Sequence, residues 1–137
     1  MDDENKAARG PNSSGWPRTI IIAEQYPLAR AALADLFTSD GWRALEAHNF
    51  GQAISYIDNT ENLAVVLVDL DMPGWRSLIR HTIKASNSLL IGMEGIHSIE
   101  KADLRRCGLH QRFKKPIVYG DLWKAITADE NFDRNPG

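Results

Sequence analysis

Asp69 ends the apolar run Val65-Val66-Leu67-Val68, and Leu70-Asp71-Met72 leads from it into the turn-forming pair Pro73-Gly74. Four branched apolar residues in succession lack the polar alternation of a half-exposed strand, so the run predicts a strand covered on both faces of a parallel sheet. Ligand chemistry in such sheets gathers at the carboxyl ends of the strands. An acid held there can attack an electrophile or pair with a cation. Two other groups fall at comparable places: Glu24-Gln25 with Pro27 follows the run Thr19-Ile20-Ile21-Ile22-Ala23, and Lys115-Pro116 closes a short segment beginning at Gln111.

The elements that must position these residues read as five β/α units. A strand over 19–23 leads to a helix opened by Pro27, with Leu28, Ala31, Ala32 and Leu36 at helical spacing and a stop at Ser39-Asp40-Gly41. A second strand over 42–47 is followed by Asn49, a good N-cap, and a helix whose apolar positions are Ala53, Ile54 and Ile57. After the strand that ends on Asp69, a helix over 77–85 turns Leu78, Ile79 and Ile83 inward. A fourth strand over 88–93, a fourth helix over 96–107 stopped by Gly108, a fifth strand over 111–115 broken by Pro116, and a last helix over 121–128 complete the series. Strict alternation predicts an α/β fold: a doubly wound, five-stranded parallel sheet with right-handed crossovers. The flavodoxin-like strand order would bring Glu24-Gln25 opposite Asp69.

The chain has 137 residues, 43% of them hydrophobic and 25% charged, with a formal net charge of -2. Those values fit one domain over residues 18–128, between polar tails at 1–17 and 129–137 that are expected to be flexible. No basic balance points to nucleic acid, and no apolar run reaches the ~20 residues that span a bilayer. A cytoplasmic location is expected, and the lone Cys107, which cannot form an internal disulfide, fits a reducing compartment. The four histidines show no metal-ligand spacing and read as surface residues.

With Glu24-Gln25-x-Pro27, Asp69-x-x-x-Pro73-Gly74 and Lys115-Pro116 at these distances, the chain resembles a response-regulator receiver domain of the CheY-like kind over most of its length. The resemblance implies the (βα)5 receiver fold and a stand-alone response regulator in a two-component phosphorelay. In such a protein Asp69 accepts a phosphoryl group from a histidine kinase or phosphotransfer protein, and Lys115 pairs with the phosphoryl oxygens. It further implies Mg²⁺ held by Glu24, Gln25, Asp69 and the backbone carbonyl of Asp71. The face carrying Arg112 and Trp123 would dock a downstream protein or a second copy. The reading is of a signalling module, not an enzyme.

Several positions depart from the family pattern. Gln25 replaces a carboxylate and Glu24 is a methylene longer than the usual aspartate, so metal affinity should fall. Met93, or Gly92 with one residue of slippage, stands where a Ser or Thr hydroxyl is usual, and neither donates. Glu94 adds negative charge at the pocket mouth. Arg112 replaces a switching aromatic ring and is poorly suited to burial. Coupling of phosphorylation to output should then be weak, and a receiver fold acting by shape alone is the alternative. A third reading takes Asp69-Leu70-Asp71 as the nucleophile motif of a haloacid-dehalogenase-type phosphatase. Against it, the motif comes third in the chain and no downstream acidic pair follows. Trp75 would shield the pocket or contact a kinase.

Overall fold

The computed structural model describes residues 18–95 and 106–129. Five parallel strands, β1 (Thr19–Ala23), β2 (Arg43–Ala47), β3 (Leu63–Asp69), β4 (Leu89–Glu94) and β5 (Gln111–Lys114), form one sheet in the order β2-β1-β3-β4-β5. This is the doubly wound order, with β1 and β3 side by side at the point where the chain changes direction. The described helices are α1 (Pro27–Ser39), α2 (Phe50–Asn59), α3 (Trp75–Ala85) and α4 (Tyr119–Ala128). The helix expected between β4 and β5 lies outside the described residues except for its end at Arg106 to Gly108, and so do both expected tails apart from Asp129.

Side-chain alternation along the strands divides the core in two. Ile21, Val66, Val68 and Leu90 pack with α2 and α3 on one face. Ile20, Ile22, Val65, Leu67, Ile91 and Met93 pack with α1 and α4 on the other. All five residues of β1 are buried, and so are the last five of β3, as continuous apolar runs require in a sheet covered on both sides. The strand ends therefore carry whatever polar chemistry the sheet has.

Local sequence sets the element ends. Pro27 opens α1, whose last turn closes on Gly41 at φ +90. Asn49 caps α2 by accepting the Gln52 N–H at 2.8 Å. Gly74, at φ +85 before α3, is required twice over: a Cβ there would also collide with the Phe50 ring.

Two helix faces differ from expectation. In α1 the buried residues are Leu33, Ala34 and Phe37, while Leu28 is 88% and Leu36 43% exposed. The Phe37 ring, fully buried against Trp42 and Tyr119, sets the rotation of the helix, and the alanines and leucines elsewhere on it follow. In α3, Thr82 turns inward with Leu78 and Ile79 by donating its hydroxyl to the Leu78 carbonyl at 2.7 Å. Ile83 then lies on the shoulder of the helix, over Gly108.

Candidate functional site

Three strand ends converge on one buried ion cluster. Glu24 follows β1, Asp69 closes β3 and Lys115 follows β5, and the two acids are 1% and 0% exposed. The Lys115 ammonium lies 2.8 Å from Glu24 Oε1 and 3.2 Å from Asp69 Oδ1, with its nitrogen shielded from water. It also stands 5.1 Å from the centre of the Tyr26 ring. Backbone amides donate to the same two carboxylates. Asp71 N–H donates to Asp69 Oδ1 at 2.9 Å, Gln25 N–H to Asp69 Oδ2 at 3.4 Å and Tyr26 N–H to Glu24 Oε2 at 3.2 Å. The amide contact to Asp69 Oδ2 is the longest of the three.

The lysine is carried into this position by the pairing of β4 with β5, continued one residue by the Lys115 N–H bond to the Glu94 carbonyl at 2.8 Å. The Lys115–Pro116 peptide is cis. Arg30, reaching back from the first turn of α1, donates Nη1 to the Glu24 carbonyl at 2.9 Å and pairs with Glu46 at 3.2 Å.

Burial, and then the contact with Asp69, push the Glu24 carboxyl up; Lys115 and the Tyr26 N–H pull it back only in part. Burial alone would lower the Lys115 ammonium, but Glu24 and Asp69 outweigh it and leave it above its ordinary value. Lys115 is therefore a permanent cation at neutral pH.

Asp69 pairs with Met93 across the parallel ladder, one residue beyond Gly92, which pairs with Val68. The thioether is fully buried in the core on the α1 and α4 face, where it offers no donor. Glu94 is not the free negative charge expected at the mouth, since Arg112 Nε holds its Oε2 at 3.1 Å. Trp75 does not face outward; it is buried in the α2 and α3 core with the Arg76 guanidinium over its ring. Trp123 is half-buried, stacked on Tyr119 and edge-on to Trp42.

Sequence reasoning missed Arg30, and it also missed His110. The His110 ring accepts the Leu90 N–H on Nδ1 at 2.9 Å while the His110 backbone N–H donates to the Leu90 carbonyl at 2.9 Å, so residue 110 extends the ladder before β5 begins. Neither role has a periodic signature; both are bonds to backbone across the fold.

No family model and no curated protein matches the chain. Solved structures do. A CheY-like response-regulator receiver domain protein from Methanospirillum hungatei superposes with a TM-score of 0.76 at 18% identity, over 88% of this chain and 99% of that one. The fold is that of a response-regulator receiver domain. A receiver protein from Pseudomonas putida agrees with a TM-score of 0.73 at 24% identity, over 82% and 98% of the two chains. A chain in the co-crystal of the Saccharomyces cerevisiae histidine phosphotransfer protein Ypd1 with the receiver domain of its downstream response regulator Ssk1 gives 0.68 at 18%, over 81% and 87%. At these identities the likeness is one of fold, and a receiver fold places Glu24, Asp69 and Lys115 together at the carboxyl edge of the sheet.

A divalent ion fits the residues present poorly. Mg²⁺ requires about six hard oxygens in octahedral array and gives up its water reluctantly. Here the third side chain of the expected set is the neutral amide of Gln25, and among the described residues no three His, Cys, Asp or Glu side chains gather round one point. Both carboxylates already face one ammonium. Among the described residues no helix is long and apolar enough to cross a membrane.

Proposed function

We propose that this protein is a signalling module of the two-component type that works by docking, with Asp69 as its phosphoacceptor. The observation that carries the reading is the meeting of a strand-end carboxylate with a permanently charged lysine at the switch point of a receiver fold. In the reaction, Asp69 Oδ2 attacks the phosphorus of a phosphohistidine on a kinase or phosphotransfer partner. An O–P bond forms as the P–N bond breaks, and the partner's imidazole leaves with the electron pair of that bond and takes up a proton from solvent. Lys115 supplies the positive charge that the transferred oxygens need, and the Gln25 and Asp71 N–H groups offer further donors. The new charge is reported through β5 and α4 to a protein partner.

A second reading is favoured by a specific feature. Asp69 is fully covered, and Lys115 lies closer to Glu24 than to it. In this reading Glu24, Lys115 and Asp69 form a fixed network that holds one conformation, and the module docks without modification.

Intact mass after incubation with acetyl phosphate and MgCl₂ separates the two. The first reading expects the wild type to gain one phosphoryl group and Asp69→Asn to gain none. Absence of any gain, beside a control receiver that is modified, would leave the fixed network as the working form.

A further inference from the structure

The cluster at the carboxyl edge holds two buried carboxylates, and the cation they share is a side chain. Lys115 lies between them at 2.8 and 3.2 Å. A second cation, Arg30, is bonded to the carbonyl of the same Glu24. Of the four carboxylate oxygens, three accept a contact of 3.2 Å or less, and the fourth, Asp69 Oδ2, has the Gln25 N–H at 3.4 Å. An incoming divalent ion would have to break these contacts and shed its own water beside two fixed positive charges. It would then find two carboxylates where a third acid could have stood at position 25.

We infer that Lys115 is the resident counter-ion of the Glu24–Asp69 pair in place of a divalent metal, and that residue 25 is the position that decides between the two. Gln25 is partly exposed at the start of the β1 to α1 turn, and its backbone already faces Asp69. An acid at this position would bring a third carboxylate to the cluster without disturbing the core. The extra negative charge would outweigh Lys115 and Arg30 and make the pocket attractive to a hard cation. The inference concerns the same pocket as the proposed function but does not rest on phosphorylation of Asp69.

The test is a titration of the full chain with MgCl₂, followed by the backbone amide resonances of Gln25, Asp69 and Asp71 against a potassium chloride control of equal ionic strength. The wild type should show no saturable shift up to tens of millimolar Mg²⁺. Gln25→Asp, its fold verified by the rest of its amide spectrum, should show saturable shifts at all three, with affinity raised by about tenfold or more. Saturable binding by the wild type in the low millimolar range would overturn the inference. Silence from both proteins would overturn the role given to residue 25. Neither outcome touches the mass gain on which the phosphoacceptor reading stands, so the two ideas fail separately.

Discussion

Glu24 is a residue whose acidity the fold changes. Its carboxyl is buried next to a second carboxylate, and its proton is held more tightly folded than unfolded. A carboxyl raised above its ordinary 4.5 costs stability as pH climbs from that value through the folded one, because the folded state must give up a proton it binds better. Lys115, raised above 10.5, stabilises the folded state fully below that pH and loses its contribution only as pH rises through its folded value. From mildly acid to neutral pH the Glu24 contribution is therefore the one that moves. Glu24→Gln should remove it, so the urea midpoint of the variant should improve relative to wild type as pH rises from below 4.5 to 7. A constant difference between the two proteins across that range would contradict the assignment. The acid–lysine site was legible in the sequence because each member sits at the end of an apolar run or before a proline. Arg30 was not, since an arginine on an exposed helix turn gives no sign that its guanidinium will bond a strand-end carbonyl.

The helices show where pattern and packing part company. All five strands were legible to within about two residues: β1 and β3 because uninterrupted β-branched runs have few alternatives, and β2, β4 and β5 because turn and helix signals on either side bound them. The rotation of α1 was not, because Leu28, Ala31, Ala32, Leu33, Ala34 and Leu36 offer apolar residues on several sides, and only the burial of one large ring chooses among them. That choice can be tested. Phe37→Ala should cost about 3–5 kcal/mol in chemical unfolding, while Leu28→Ala on the exposed side should stay within about 0.5 kcal/mol. Comparable losses at both positions would mean that the helix face is assigned wrongly. The same contrast explains α3, where a threonine hydroxyl satisfied within the helix fills an inward position and leaves an isoleucine on the shoulder.

Across the whole molecule, the first and last described helices are tied together by aromatic rings. Phe37 meets Trp42 at 5.7 Å and Tyr119 at 4.9 Å, both edge-on, and Trp123 stacks on Tyr119 at 6.3 Å. The Tyr119 hydroxyl donates to Asp40, at the end of α1. Burial first, and then the neighbouring carboxylate, push that phenol far above its ordinary value, so it remains a donor at any working pH. Tyr119→Phe keeps the ring contacts and removes one hydrogen bond, and should lower stability by about 1 kcal/mol in a urea titration at pH 7. An unchanged midpoint would show that the bond adds nothing net. Trp42 and Trp123 lie 6.4 Å apart with their planes at 78°. Two indoles so close and so inclined couple their excited states, which gives the protein a built-in optical signature. Circular dichroism of the unlabelled chain should carry a split signal in the strong short-wavelength indole band that fades when α4 leaves α1. Docking at that end of the molecule could then be followed by light alone, with no probe attached.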